Sequence, residues 1–472
     1  MLIWSSRALS YYGKIVVINN LIVPKLIYNL TILYTPNHIL KKLDGMLFKF
    51  LWGKTHKIKK SVVIASSING GLNMIDIITK HHALKTSWIP KLLNEESSLA
   101  EILNLYLAKM SITINLLLKM NFRKVEDFWI FSTVPPFYQQ VIISYNLCTT
   151  IRPINKLNTV EILSQPLWGN EYLKSKGKCL YNKNWLESGF LFVKDIVEND
   201  GSFLSEHNLL QKLRVKTNWM SEVFILKNII VKNALRHCDT AVCRFTQITL
   251  YKKLTLWTKT KIFNLDEINC KEMYIVLLAK KTERPYSEHM WQRKLQTEMN
   301  KNDWEQVYLT NFKTLRYKKF SEFKYKILLN ILPCGEKLET WGKSASTKCT
   351  FCGESEDICH LLYSCPRVKH VWCILSNCLK LNVTLKHIIP GIRCQNYLSE
   401  NRNICVVIVS YAIFSTWSKC NWNNSDYKSV DIVSIIKERL SFYGEVFDSI
   451  LANSNQRKNM KSMIKCMLFH LL

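Results

Sequence analysis

Glycine and proline are both scarce, with 14 and 11 residues in a chain of 472. That excludes collagen-like and low-complexity chains and weighs against a fold made of many tight turns. No two aspartates are adjacent; the twelve in the chain are scattered. Chemistry that clamps two metal ions between neighbouring carboxylates therefore has no local support. A glycine-rich phosphate loop is missing too, as is any nucleophile–base arrangement. No apolar run reaches the ~18 residues of a membrane span. The longest candidate, Ile404 to Trp417, is interrupted by Ser410, Ser415 and Thr416 and reads as a buried helix. The opening "MLIWSSRALSYYGK" lacks a charged leader, an apolar run and a cleavage site, so it is not expected to be a signal peptide. Sixteen cysteines follow no framework spacing outside Cys349 to Cys365. With no secretion signal, the thiols are expected to stay reduced. The expected location is intracellular, cytoplasmic or nuclear, with no membrane partner.

Acidic residues are few relative to basic ones. Lys and Arg number 65 against 36 Asp and Glu, a formal net charge of +29. An excess of this size attracts polyanions, because Lys and Arg neutralise phosphates and release counterions. The chain is 48% hydrophobic, enough for a large core. Apolar residues recur at helical spacing over long stretches, which predicts a mainly α fold.

Residues 1–90 form a first, sharply basic segment. Twelve Lys and Arg oppose Asp44 and Asp76, a balance of +10. In "GKIVVINNLIVPKLIYNL", Pro24 should kink a helix. Thr35 and Pro36 read as the start of an amphipathic helix. Ile39, Leu40, Leu43, Leu47, Phe50 and Leu51 form its apolar face, and Lys41, Lys42, Asp44 and Lys49 its polar face. Gly70-Gly71 marks a turn. Residues 91–300 read as a helical middle region. Within it "NDGSFLS" is a loop leading into a helix, and residues 270–310 are expected to hold a solvated helix or linker. Residues 301–380 hold a basic-aromatic segment and a cysteine cluster, and 381–472 two or three further helices.

The cluster is Cys349-x2-Cys352-x7-His360-x4-Cys365. A Cys-x2-Cys turn lets two thiolates meet one ion, and a His and Cys a few residues apart can approach from a short helix. Together they make a closed Cys3His set, the donor pattern of structural Zn2+. Gly353 suits the turn. Cys359, beside His360, would point elsewhere on a helix and is left out of the set. The competing reading is a chance grouping in a cysteine-rich chain. A zinc deaminase would need His-x-Glu ahead of the cysteine pair, whereas His360 follows the pair and precedes Leu361.

In "NFKTLRYKKFSEFKYK", cations alternate with Phe312, Tyr317, Phe320, Phe323 and Tyr325. Cations suit phosphates, and aromatic faces suit unpaired bases. Helical spacing favours a core role for the aromatics. Candidate phosphate contacts are Arg7, Lys14, Lys54, Lys57, Lys59 and Lys60 in the first segment. Lys313, Arg316, Lys318, Lys319, Lys324 and Lys326 are the candidates in this one.

Three blocks, in order, resemble one family. "WSSRALSYYGKIVVINNLIVPKLIY", with the later "FKFLWGK" and "GGLNMID", looks like the thumb of non-LTR (long interspersed element type) retrotransposon reverse transcriptases. "LSQPLWGNEYLKSKGKCLYNKNWLESGFLFVKDIVENDGSFLS" resembles the region that follows it, and "FKYKILLNILPCGEKLETWGKSASTKCTFCGESEDICHLLYSCPRVKHVW" their C-terminal zinc-binding segment. Arg7, Leu9, Ser10, Gly13 and Lys14 fall on the stretch opening the thumb; Phe50, Trp52, Gly70, Gly71 and Leu72 fall on its later marks. The resemblance implies a basic, helical, thumb-like bundle followed by a helical region with a Cys3His zinc knuckle. It implies binding of RNA, or of an RNA–DNA duplex. It also implies that palm and endonuclease lie outside these residues, so that the chain is not an enzyme on its own. Cys359 departs from the acidic residue that relatives often carry there. The alternatives are a zinc-stapled protein-interaction scaffold and a functionless relic of a truncated element.

Overall fold

The computed structural model describes residues 4, 7, 9–53, 57–150, 152–198, 202–213, 219–238, 255–258, 261–315, 317–343, 347–349, 351–393, 396–422, 432–451 and 453–471. Lys54 and Arg316 lie outside the described residues. The fold is mainly α, as the periodicity predicts. The strands among the described residues make two short antiparallel hairpins, Lys174–Ser175 with Lys178–Cys179 and Thr255–Trp257 with Ile262–Asn264.

The chain divides into two compact units. The first joins Met1–Ile22, Gly45–Ile75 and Thr282–Leu472; the second joins Val23–Asp44 and Asp76–Lys281. These units do not coincide with the four sequence segments. The basic N-terminal segment is divided between them, because its helices complete two different cores.

In the second unit the core gathers around Phe122, Phe128, Phe131, Trp168 and Trp185. The Trp168 indole donates to the Phe190 carbonyl at 2.7 Å, which satisfies its one polar atom. The helix Ile77–Thr86 begins at a buried N-cap, Asp76. The Asp76 carboxylate accepts from the Thr79 backbone N–H at 3.1 Å and pairs with Lys281 at 3.0 Å. His81 and His82 lie one turn on. Burial first, then the charges of His82 and Lys85, hold His81 down at about 3. Burial, then Lys281, holds His82 down at about 4. The unfolded chain therefore binds protons below pH 6.5 that the folded unit refuses. Stability is complete above that pH and falls as pH drops towards 4. Each imidazole contributes about 1.4 kcal/mol for every tenfold loss of its proton affinity on folding. Urea midpoints will fall steadily from pH 7 to pH 4.5, and His82→Gln will flatten that slope. An equal slope in the variant would refute this assignment.

In the first unit, Trp291, Trp304, Phe320, Phe323 and Trp372 build the core with the helix Tyr397–Trp422. The stretch expected to be a solvated helix or linker is helical, with Cys270–Ala279 in the second unit and Ser287–Leu295 and Lys301–Thr314 in the first. It is only partly solvated: Trp291, Trp304 and Glu288 are buried, and the Glu288 carboxylate accepts from the Tyr308 hydroxyl at 3.1 Å. Trp291 donates its indole N–H to Leu328 O at 2.9 Å. The Ile404 to Trp417 run is a buried helix, as its sequence implies. Between 381 and 472 the described residues hold four helices, the single turn Leu385–Ile388 and three long ones, Tyr397–Trp422, Ile432–Ile450 and Ser454–His470, where two or three were expected.

Two local expectations changed. Tyr11–Ile32 is one helical stretch, long and apolar enough to cross a membrane by length and composition, with 28% of that window buried. Counting unbroken apolar residues misses it, because the helix carries Asn19 and Asn20 without ending. Asn19 works as a clamp here. Its amide donates to Asn73 O at 2.9 Å and accepts from Ile75 N at 3.0 Å. The helix carries on through Pro24, with the wider π turn Ile18–Ile22 just ahead of it. Thr35 does not cap the next helix, Asn37–Trp52. Its hydroxyl donates to Leu33 O, and Pro36 O takes the first helical N–H groups. Leu40, Leu47, Phe50 and Leu51 are buried, Leu43 is half-buried, and Lys41, Lys42 and Lys49 are exposed, as the amphipathic pattern requires; Ile39, expected on the apolar face, is instead exposed in the first turn.

Candidate metal centre and basic face

The metal centre starts from a tight turn. Cys349 N donates to Glu354 O at 2.7 Å, and Gly353 N donates back to Cys349 O at 2.9 Å. Lys348 and Ser355 bridge the two sides. The turn needs a left-handed residue, which Gly353 supplies at φ 80°. Cys349 and Cys352 are thereby presented from one short loop.

The other two donors come from a π turn, His360–Ser364, followed by the helix Pro366–Leu379. The spacing explains the π turn. An α-helix turns about 100° per residue, which would place residues five apart on different faces. The i→i+5 turn, closed by Cys365 N to His360 O at 3.1 Å, brings His360 and Cys365 back to one side. Pro366 then starts a new helix at its favoured first position. The Trp372 indole donates to Leu362 O at 2.9 Å and pins that helix against the turn.

The donor atoms of Cys349, Cys352, His360 and Cys365 all lie within 4.8 Å of one another. Cys352 Sγ is 3.2 Å from His360 Nε2. On its other side, His360 Nδ1 is 3.6 Å from the Glu354 carboxylate, the arrangement that fixes a ligating imidazole. Asp357 accepts from the His360 backbone N–H at 2.7 Å and from Lys294 Nζ at 2.7 Å. Those bonds outweigh its burial and hold its carboxyl low. Cys349 and Cys365 share a thiol hydrogen bond that pushes Cys349 up and Cys365 down. Cys349, His360 and Cys365 border a cavity of about 20 Å³, room for a single water-sized guest. Cys359 is not among the converging donors; burial and Asp357 push its thiol up to about 11. Three thiols and an imidazole fit Zn2+, and a closed set of four leaves no position for substrate.

Residues 269–372 match the model of a family described as zinc-binding in reverse transcriptase. This segment is a reverse-transcriptase-associated zinc-binding region. It contains all four donors and the helices Ser287–Leu295, Lys301–Thr314 and Lys318–Leu328. No curated protein matches the chain.

The basic-aromatic helix of the zinc-binding region, Lys318–Leu328, is buried along most of its length. Phe320, Phe323 and Tyr325 are buried, so the aromatics serve the core. Lys324 is buried with them, and its Nζ donates to Ile388 O at 2.5 Å. It is not a phosphate contact, because its ammonium is already held inside the unit. Lys313, Lys318 and Lys319 are exposed. Arg7 is exposed and its guanidinium lies over Trp4 at 4.7 Å. Lys59 is exposed, 4.0 Å from Glu283. Lys60 is half-buried over the Phe48 ring.

The remaining lysines meet. Lys57 Nζ is 3.3 Å from the Tyr11 hydroxyl and 5.0 Å from the Trp341 ring centre. Lys326 Nζ lies 5.0 Å from the Tyr11 ring centre and 2.8 Å from Glu322. Lys14 Nζ donates to Leu51 O at 3.1 Å. Burial, then Lys326 and Lys343, and more weakly Lys14, lower the Lys57 pKa. Lys14, Lys326 and Lys343 thus crowd the Lys57 ammonium, the four coming from three chain segments, and Glu322 is the acid that offsets them there. Nothing in the sequence marks Lys343, Trp341 or Tyr11 as their neighbours. Each is unremarkable locally, and only the fold joins them.

Proposed function

We propose that the chain is the nucleic-acid-binding C-terminal part, thumb and zinc-binding region, of a non-LTR retrotransposon reverse transcriptase. It holds RNA, or an RNA–DNA duplex, for a polymerase centre formed by other residues, and it catalyses nothing alone. It works inside the cell, in the cytoplasm or nucleus. The observation that supports this reading best is the cluster of Lys14, Lys57, Lys326 and Lys343 around Tyr11 and Trp341. A cation whose charged form is disfavoured by burial and by its neighbours gains most when a phosphate arrives. The two aromatic groups offer surfaces for a base or sugar. Phosphate contacts position a nucleic acid without reading its sequence, so preference between RNAs will be weak.

The test is a salt series on the full chain with an RNA hairpin. In the Lys57→Gln, Lys343→Gln double variant the slope of log K against log salt will become shallower by about 1.5, two contacts at roughly 0.7–0.9 each. Lys41→Gln, Lys42→Gln, an exposed pair on another helix, is the comparison. Equal slopes in the two variants would refute the site. Salt-insensitive binding of a protein partner would favour the scaffold.

A further inference from the structure

The fold brings a second set of metal-type donors together, away from the zinc-binding region's own four. Cys378 is the penultimate residue of the helix Pro366–Leu379 and is buried. Cys466 and His470 lie four apart in the last turns of the helix Ser454–His470. That spacing puts both on one helical face. Sγ of Cys378, Sγ of Cys466 and a ring nitrogen of His470 lie within 4.8 Å of one another. Nothing in the sequence signals this, because Cys378 is far from the other two and no short motif spans them.

We infer that Cys378, Cys466 and His470 form a second metal site that takes a thiophilic divalent ion, Zn2+. Two thiols and an imidazole are the same kind of soft donor set as the first centre. Zinc–sulfur bonds of about 2.3 Å in a tetrahedron place the sulfurs about 3.8 Å apart, so the donors need close by no more than about 1 Å. Binding converts both thiols to thiolates and releases two protons to solvent. Three protein donors leave the fourth position to water or to an outside donor. The consequence is mechanical. The ion ties the end of the Ser454–His470 helix to the helix Pro366–Leu379, which Cys365 immediately precedes, so the two centres brace the same element from its two ends.

The full chain, purified under reducing conditions and equilibrated with zinc alone, is desalted and its zinc counted by mass spectrometry. The wild type will carry two zinc ions per chain, His470→Ala one and Cys352→Ser one. His470 is exposed in a terminal turn, so its loss leaves the fold intact. With Co2+ in place of zinc, Cys466→Ser will lose part of the thiolate-to-metal absorbance and keep the part contributed by the first centre. One ion in the wild type, unchanged in His470→Ala and lost in Cys352→Ser, overturns the second site and leaves the first standing. One ion lost in His470→Ala and kept in Cys352→Ser does the reverse. A protein two hydrogens lighter by intact mass, with Cys378 and Cys466 joined, also overturns it.

Discussion

Replacing Cys365 by serine will strip zinc from the Cys3His centre and unravel the chain around it. Each donor is delivered by backbone that has little else to hold it. The Cys349–Gly353 turn rests on two cross-turn hydrogen bonds, and the His360–Ser364 turn on a π geometry that is rarely stable alone. Structural zinc in small domains contributes roughly 10–16 kcal/mol at pH 7, and that binding energy is folding energy. Here the centre is joined to a larger core through Leu361, Leu362 and Trp372, so part of the unit survives. A loss of about 4 kcal/mol is the conservative expectation. It corresponds to a fall in melting temperature of about 10 °C for a unit of this size. Chelator treatment of the wild type will reproduce the effect, and acid will as well, because the thiols must be deprotonated to bind. Hydrogen exchange will speed up first at residues 347–372. An unchanged melting point and unchanged exchange in both cases would mean that the donors form a thiol core and no metal site.

That centre was legible because its chemistry is local: four donors within seventeen residues, with spacing that carries geometry. The mainly α class was legible for a similar reason, since helical periodicity is written along the chain. What escaped the sequence is what tertiary contact decides. Lys324 looked like its neighbours Lys318, Lys319 and Lys326, yet it points inward to Ile388 O. The charged 270–310 stretch hid two core tryptophans among its polar residues. The basic N-terminal segment read as one domain, whereas its helices serve two units. The lysines around Tyr11 come from three segments, and no linear pattern predicts their meeting. The Cys378, Cys466 and His470 grouping is the extreme case.

Gly71→Ala will be among the most destabilising single changes in the first unit. A Cβ at Gly71 would sit 2.0 Å from Ala65 O, 2.4 Å from Ala65 C and 2.6 Å from Val62 O. These are backbone atoms, so no side chain can swing aside. The loop cannot shift cheaply either. Gly71 N donates to Ser66 O, Leu72 N to Val63 O and Asn73 N to Ala65 O, each near 3 Å. Opening the turn enough for a methyl group breaks these bonds and orphans buried carbonyls, each costing about 1–3 kcal/mol. Gly70 adds a second lock, at φ 80° with Pro285 and Tyr308 already 2.7 Å from where its Cβ would be. Tyr325 donates to Gly70 O at 3.3 Å, so the turn is fastened to the helix that carries Lys326. The expected loss exceeds about 4 kcal/mol, in the range reserved for backbone strain and broken buried networks. Gly45→Ala is the contrast. That glycine lies mid-helix with nothing within 4 Å of its Cβ position, and alanine there will stabilise by about 0.5–1 kcal/mol. Urea denaturation of the pair will separate the two effects. On the proposed nucleic-acid-binding reading, RNA binding will weaken with the first change alone, because the Tyr325 bond couples the turn to the lysine cluster. If Gly71→Ala unfolds at the wild-type midpoint, the close backbone approach is not what holds this turn.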